Sequence, residues 1–340
     1  MKKSIFLRFS IIFSKFAEYT NWNTMREQLE SLNSVSINFG ELGITIVNII
    51  LAFVMFGVAL GIKPRTMKEV FKRPKSVFIG VFLQWIALPA VTFAVALALG
   101  PVITPMIALG MILVASCPGG NISNFLSALS KGNIALSVSM TAVTTAMSPF
   151  ITPINFFFWG SLYSQVMTIK RDIPMLMIPF FPMLEQILLL LGLPIVLGIL
   201  FARYFPNATK KISKPLQGLS VALFIGMVIV SFAQNFQIFV DNIFYVFFIV
   251  LLHNALALST GYFGGRLAKL PIGDVKSLTV ETGIQNSGLG LVLLFNPAIF
   301  PPETWHGHYG GMLFVTAWWG VWHIVSGLSM AYYFRRIKNT

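Results

Sequence analysis

Residues 280–290 read Val280-Glu281-Thr282-Gly283-Ile284-Gln285-Asn286-Ser287-Gly288-Leu289-Gly290. The stretch holds one carboxylate, two amides, two hydroxyls and three glycines within an apolar run long enough to span a bilayer. An ionisable side chain at that depth is costly unless it is paired, so Glu281 is a candidate functional residue. The glycines weaken a continuous helix, and a broken helix leaves carbonyls at one end and N–H groups at the other without partners.

A second stretch of the same kind lies in the other half of the chain, at Ser116-Cys117-Pro118-Gly119-Gly120-Asn121-Ile122-Ser123-Asn124. It also places polar and helix-breaking residues inside an apolar run. Irregular backbone at membrane depth is tolerated only where it is buried in protein or lines a cavity. Two interrupted segments in corresponding halves indicate the binding site of a secondary transporter.

The composition is that of a membrane protein. Of the 340 residues, 56% are hydrophobic and 10% are charged, which is too apolar for a soluble globule. Repeated apolar runs of about 20 residues, separated by short polar loops, predict a polytopic bundle of transmembrane helices. The net charge of +13 does not indicate nucleic acid, because the basic residues lie in loops between the predicted spans. The single cysteine excludes an internal disulfide.

Basic loops predict the orientation of the chain. Residues 63–75 hold six basic residues against one acidic residue, which is typical of a cytoplasmic loop. Later basic clusters fall on the same side, so we expect nine spans, with the N-terminus outside and the C-terminus cytoplasmic. Basic residues near the start oppose an outside N-terminus and leave a tenth, N-terminal span open. The predicted spans are 44–62, 76–99, 105–129, 134–158, a fifth from about 183, 216–233, 241–263, 275–300 and 310–333.

Two of these predicted spans contain polar residues. Gln84 lies in the second span, and Pro89 cannot donate to the carbonyl of Trp85, so the helix is expected to loosen beside that amide. Ser137 and Thr141 share one face of the fourth span, at positions i and i+4. Taken singly, such residues are ordinary contacts between membrane helices.

Three motifs, in this order, resemble those of the bile acid:sodium symporter family, and the likeness extends from about Met55 to Arg335. The motifs are Cys117-Pro118-Gly119-Gly120-Asn121-Ile122-Ser123-Asn124, Gly132-Asn133-Ile134-Ala135-Leu136-Ser137-Val138-Ser139-Met140-Thr141 and Glu281-Thr282-Gly283-Ile284-Gln285-Asn286-Ser287-Gly288. The resemblance implies an all-α polytopic, inverted-repeat transporter with a panel domain and a core domain, in which two discontinuous helices cross.

The resemblance also divides the chain. It implies a transporter domain over residues 41–340, with a first repeat at about 41–160 and a second at about 173–336. Residues 1–40 fall outside the likeness, and their composition predicts an interfacial or poorly ordered N-terminal segment.

Two sodium sites and a substrate site are implied at the crossing. The first sodium site would comprise Ser123, Asn124, Ser137, Thr141 and Glu281. The second would comprise Gln84, Glu281 and Gln285 with the backbone carbonyls of Thr282 and Ile284. The substrate would bind near Asn121, Asn286, Ser287 and His323.

The residue types agree with that assignment. Sodium is a hard cation, and these positions offer carboxylate, amide, hydroxyl and carbonyl oxygens. Two sodium ions sharing Glu281 would leave the loaded site positive. Half-helices beginning near Gly120 and Asn286 would point N–H groups and positive dipole ends at the same place, which favours an anion.

The sequence therefore predicts a sodium-coupled symporter of an organic anion, either bile acid-like or a small keto or hydroxy acid, that works by alternating access. We expect a monomer in a bacterial inner (cell) membrane, in contact with lipid and without nucleic acid. A proton-coupled carrier with Glu281 as the proton site, and a non-transporting anion sensor, remain open. An intramembrane hydrolase would need a nucleophile and a base; Ser123 and His323 exist, but no G-x-S-x-G or H-E-x-x-H motif is present, so we expect no enzyme.

Overall fold

The computed structural model describes residues 22–32, 41–60, 74–120, 122–171, 178, 180–234, 236–296, 299–300 and 309–337. Over these residues the chain is mostly helical, with an isolated antiparallel bridge between Gly119 and Gln285. The helices are α1 (Trp22–Ser31), α2 (Glu41–Ala59), α3 (Pro74–Leu99), α4 (Pro105–Ser116), α5 (Ile122–Leu129), α6 (Ile134–Arg171), α7 (180–204), α8 (Pro206–Gln234), α9 (Phe236–Leu267), α10 (Ile272–Gly283), α11 (Ser287–Leu294) and α12 (Gly310–Arg336).

Several of these helices are long and apolar enough to cross a membrane. Within the described residues, five satisfy that criterion: α3, most of α6, α7 and α9, and the whole of α12. Shorter apolar stretches lie in α2 and in α4. The protein is therefore an all-helical membrane protein, whereas the count of nine or ten spans stays a prediction.

The fourth predicted span is longer than expected. The sequence predicted an end near residue 158, whereas α6 continues to 171 through two prolines. Proline cannot donate to the carbonyl four residues before it. At Pro149 that carbonyl belongs to Thr145, and the hydroxyl of Ser148 donates to it instead, at 2.8 Å. This local substitute satisfies the carbonyl within the continuing helix.

Other helices also extend beyond their predicted bounds. The structure begins α7 at Phe180 rather than near Met183, and begins α8 at Pro206 rather than near 216. It extends α9 from 236 to 267, beyond the predicted 241–263. The added turns of α8 and α9 carry polar and basic residues, because hydropathy detects only the apolar part of a helix that continues into the interface. The added turn of α7, Phe180-Phe181-Pro182, is apolar, and its proline is tolerated because the first turn of a helix does not use that N–H.

The N-terminal segment contains a helix that the sequence did not predict. Within residues 1–40, which were interpreted as interfacial or poorly ordered, α1 forms and buries Leu29. Arg26 and Glu30, one turn apart, form an ion pair at 3.1 Å. The side-chain amide of Asn242, near the start of α9, donates to the hydroxyl of Ser31 at 3.3 Å. Residues 1–21, where a tenth span would begin, and most of the basic loop at 63–75 lie outside the described residues.

Two interrupted helices occupy the centre of the protein. Every residue of α4 from Met106 to Ser116 is buried, and so is every residue of α10 from Asp274 to Gly283. Helices α6, α9 and α12 pack around them. By contrast, α2 packs mainly against α7 and α8. A helix buried on all sides belongs to a core, so the interruptions lie where the protein is most enclosed.

Gly261 sets the close approach of α9 to α10 and gives a first prediction. An added Cβ would lie 2.6 Å from the carbonyl oxygen of Leu278 and 2.7 Å from the Cα of Thr279. We expect Gly261→Ala to lower the Tm of the purified protein in detergent, because overpacking against backbone costs about 1–3 kcal/mol. The control is Gly226→Ala on α8, where an added Cβ meets nothing within 4 Å. In that variant the higher helix propensity of alanine should keep or raise the Tm. Equal Tm values for the two variants would contradict the close contact of α9 with α10 at Gly261.

Candidate functional site

The first central helix breaks where the sequence places a proline. α4 ends at Ser116, Cys117 is extended with φ −74° and ψ 156°, and α5 begins at Ile122. A residue before proline is driven out of the helical region by the proline ring, so Pro118 accounts for the conformation of Cys117. Gly119 and Gly120 then carry the chain across the break.

The second break is closed by an amide cap. α10 ends at Gly283, Ile284 is extended with φ −114° and ψ 90°, and α11 begins at Ser287. The side-chain oxygen of Asn286 accepts from the N–H of Leu289 at 3.1 Å, which is the usual role of asparagine before the first turn of a helix. Both interruptions lie within the stretches that the sequence singled out.

The two breaks are hydrogen-bonded to each other. The N–H of Gly120 donates to the carbonyl of Ile284 at 2.7 Å, and the N–H of Asn286 donates to the carbonyl of Pro118 at 2.8 Å. This antiparallel pairing satisfies backbone groups that the interrupted helices leave without intrahelical partners. The two breaks therefore form one unit, which we call the paired breaks (residues 117–120 and 284–286).

Glu281 lies beside the paired breaks and is fully buried. Its carboxylate accepts from the hydroxyls of Ser123 (2.5 Å), Ser137 and Thr141 (3.0 Å to Oε2). The side-chain oxygen of Asn124 lies 2.9 Å from the Ser137 hydroxyl and 3.2 Å from the Thr141 hydroxyl. The structure thus brings together all five residues of the first predicted sodium site, from α5, α6 and α10. No basic side chain pairs with Glu281 in the described part of the chain.

Gln84 reaches the paired breaks from α3. The orientation that satisfies most of its partners turns its amide oxygen to the N–H of Gly119 (3.0 Å) and its amide nitrogen to the carbonyl of Glu281 (3.2 Å). Its oxygen also accepts from Nε2 of Gln285 (3.0 Å) and lies 2.8 Å from Oε1 of the same residue. Gln285 Nε2 lies 2.7 Å from the carbonyl of Thr282. With the carbonyl of Ile284, this is the set predicted for the second sodium site.

The predicted substrate residues are only partly described. Ser287 is buried at the start of α11, against Gly320 of α12. His323, three residues after Gly320 on α12, is also buried, whereas Asn286 is partly exposed. These three lie on the elements that surround the second break. Asn121 lies outside the described residues.

Two polar residues that hold α10 in place were missed by the sequence analysis. Asn254 of α9 donates to the carbonyl of Gly283, the last residue of α10, at 2.7 Å. Asp274, in the first turn of α10, accepts from Ser76 at 2.6 Å and from Asn133 at 2.8 Å, which joins α10 to α3 and to the turn before α6. Asn254 could have been found from the sequence, because it is an amide inside a predicted span, as Gln84 is.

The chain matches known proteins along most of its length. The sequence model of the sodium bile acid symporter family matches residues 48–242, more than half of the chain. An uncharacterised sodium-dependent transporter of Bacillus subtilis is 31% identical over 300 residues, which cover 86% of this chain and 84% of the relative. The chain belongs to the sodium bile acid symporter family. The resemblance carried by the three motifs is thereby confirmed.

Plant members of the family are also similar. A protein named as a chloroplast sodium/metabolite cotransporter of Arabidopsis thaliana is 27% identical over 263 residues, 77% of this chain and 60% of the relative. A rice protein named in the same way is 31% identical over 269 residues, 74% of this chain and 58% of the relative. The chain thus spans about three fifths of the length of these two relatives. The relatives are named as transporters, so the protein is a membrane transporter of a sodium-dependent family and not an enzyme.

Gly119 gives a prediction about the carboxylate. An added Cβ would lie 2.9 Å from Oε2 of Glu281 and 3.5 Å from its backbone oxygen. We expect Gly119→Ala to push the carboxylate off its rotamer at a cost of about 1 kcal/mol, which is roughly fivefold in the affinity of any cation it binds. The measurement is the sodium concentration that gives half-maximal thermal stabilisation in detergent, with choline replacing sodium. Gly218→Ala, in open space on α8, is the control; an unchanged value for Gly119→Ala would contradict the prediction.

Proposed function

We propose that the protein is a sodium-coupled symporter of an organic anion that works by alternating access. The observation that carries the proposal is the fully buried carboxylate of Glu281, surrounded by neutral oxygen atoms. A buried charge without a counter-ion is costly, so an ionised Glu281 requires a cation in contact with its carboxylate. The family supplies sodium as that cation.

The first sodium site is supported by an excess of oxygen atoms over protons. The hydroxyls of Ser123, Ser137 and Thr141 supply three protons between them. Thr141 alone lies within hydrogen-bonding distance of both carboxylate oxygens of Glu281, of Asn124 and of the backbone oxygen of Ser137. One proton cannot serve four oxygens, so lone pairs face one another there. A hard cation accepts such lone pairs, and carboxylate, amide and hydroxyl oxygens are the ligands it prefers.

The second sodium site is supported by the two glutamine amides. With Gln84 turned to satisfy Gly119 and Glu281, its oxygen faces the oxygen of Gln285 at 2.8 Å. Turning Gln285 as well would place its own amide oxygen 3.0 Å from the oxygen of Gln84 and 2.7 Å from the carbonyl of Thr282. A pair of oxygens therefore faces without a proton in either orientation, and a cation between them would remove the repulsion. The carbonyl of Ile284 accepts one N–H and keeps a second lone pair for such a cation.

The same arrangement supports an anionic substrate. Two sodium ions and one carboxylate leave one net positive charge beside the paired breaks. The N-termini of α5 and α11 begin there and add N–H groups and positive dipole ends. Binding of the anion at Asn121, Asn286, Ser287 and His323 would place its charge against this positive region. Both a bile acid-like anion and a small keto or hydroxy acid satisfy that electrostatic requirement.

The proposal extends to the architecture. Helices α2, α7 and α8, which pack mainly together, would form the panel domain, and the helices around the paired breaks would form the core domain. The proposed architecture also has nine spans, a cytoplasmic C-terminus and two repeats, at about 41–160 and 173–336. The protein is proposed to be a monomer. The Bacillus relative supports a bacterial cell membrane as the location.

The decisive test is the charge of Glu281. We expect Glu281→Gln to abolish sodium-driven uptake while the protein stays folded, because glutamine fits the same space but does not neutralise a cation. The assay is uptake of labelled organic anions, from a bile acid to a keto acid, into proteoliposomes with an inward sodium gradient. Glu185→Gln, at an exposed position on α7, is the matched control.

Three outcomes would overturn the proposal. Normal sodium-dependent uptake by Glu281→Gln would remove both proposed sodium sites. If choline replaces sodium and a proton gradient drives uptake by the native protein equally well, the proton-coupled alternative is favoured. Binding of the anion and sodium without uptake would favour a sensor.

Two sodium ions for each monovalent anion predict electrogenic transport. One net charge moves inward per cycle, and an inside-negative potential contributes roughly 2.3 kcal/mol per 100 mV to that charge. Uptake should rise when a potassium–valinomycin potential makes the interior negative, and its sodium dependence should be sigmoidal because both ions share Glu281. Voltage-independent uptake of a monovalent anion, with hyperbolic sodium dependence, would reduce the stoichiometry to one sodium ion.

A further inference from the structure

The helix that carries Gln84 is irregular at that residue. Within α3, residues Leu83–Ala87 form a π-helical turn, closed by the N–H of Leu88 donating to the carbonyl of Leu83. Pro89 follows in the next turn and has no N–H. In a regular helix the N–H of residue 89 would donate to the carbonyl of Trp85, so the proline removes the regular donor of the peptide group next to Gln84. Single π turns of this kind recur at functional sites.

A side chain from another helix takes the place of the missing donor. The amide nitrogen of Asn155, on α6, donates to the carbonyl of Trp85 at 2.9 Å. At Pro149 the same loss is compensated within one helix. The hydroxyl of Ser148 donates to the carbonyl of Thr145, which the proline cannot reach with an N–H. At Trp85 the donor comes from 70 residues away in sequence and joins α3 to α6. This contact therefore fixes the backbone beside Gln84 relative to the helix that carries Ser137 and Thr141.

We infer that Asn155 is a positioning residue of the second sodium site, acting on Gln84 through the carbonyl of Trp85. The inference rests on the proposed function, because it requires Gln84 to bind sodium. Gln84 has to meet Gly119, Glu281 and Gln285 at 2.8–3.2 Å, so a small rotation of its peptide group moves the amide out of reach of all three. The π turn sets the direction of that side chain, and the hydrogen bond from Asn155 holds the turn.

A purely structural role predicts something different. If Asn155 only joins α3 to α6, its loss should lower the stability of the protein without a selective effect on sodium. If it positions Gln84, its loss should weaken sodium binding, and it should do so only while Gln84 is present. Residues that act on one site show non-additive effects in a double-mutant cycle, which separates the two roles.

The experiment is a double-mutant cycle on the full chain in detergent. Asn155→Leu, Gln84→Ala and the double variant are compared by the sodium chloride concentration that gives half-maximal thermal stabilisation, with choline chloride keeping the ionic strength constant. We expect each single variant to raise that concentration by about tenfold, since a partly buried carbonyl that loses its donor distorts the turn. The double variant should match Gln84→Ala alone. Thr152→Val, one turn earlier on α6, removes a buried hydroxyl that has no partner in the described part of the chain, and should leave sodium binding unchanged.

Additive effects of the two substitutions would overturn the role of Asn155 and leave the proposed function intact. So would a half-maximal sodium concentration that rises in Gln84→Ala but not in Asn155→Leu. No effect of Gln84→Ala would remove the second sodium site, and the inference with it. If Asn155→Leu does not fold, Asn155→Ser replaces it, because a serine hydroxyl is too short to reach the carbonyl and perturbs packing less. The same non-additivity is then required.

Discussion

The constraint on which the rest of the structure depends is the burial of one carboxylate among neutral oxygen atoms. Glu281 is held by three hydroxyls from α5 and α6, and no basic side chain pairs with it in the described residues. Such a group is stable as an anion only with a cation beside it. The elements around it are accordingly arranged to bring oxygen atoms, rather than counter-charges, to one place. Gly119 lies so close to the carboxylate that a larger residue would displace it.

The paired breaks connect that carboxylate to the rest of the site. Because Gly120 bonds to Ile284 and Asn286 bonds to Pro118, neither interrupted helix can move at the break without the other. Under the proposed function, a displacement of Glu281 on sodium binding would therefore also move the N-termini of α5 and α11, where the anion is proposed to bind. This physical link is what coupling between sodium and substrate requires, since coupling is a shared free energy between two sites. Asn254 adds a third element, because it ties α9 to the last carbonyl of α10.

Two prolines show how the same backbone defect can have different consequences. Pro149 and Pro89 each deprive a carbonyl of its N–H. The carbonyl left by Pro149 is served by Ser148 of the same helix, and α6 continues. The carbonyl left by Pro89 belongs to a π turn and is served by Asn155 of another helix. A defect corrected within one helix affects only that helix, whereas the one corrected by Asn155 joins two of the helices that carry proposed sodium ligands, α3 and α6.

The sequence by itself determined the class of protein, the two helix interruptions and the presence of one carboxylate, Glu281, deep in an apolar span. Apolar runs, glycine and proline act on their immediate neighbours, so their effects can be predicted from order along the chain. The family resemblance named Ser123, Asn124, Ser137 and Thr141, but periodicity related only the last two to each other. Only the tertiary structure decided that the three hydroxyls contact Glu281 and that Asn124 contacts two of them. It also decided that the two breaks pair, and that Asn155 and Asn254 donate to carbonyls on other helices. The physical reason is that a hydrogen bond between helices depends on their packing distance and rotation, and local sequence does not set these.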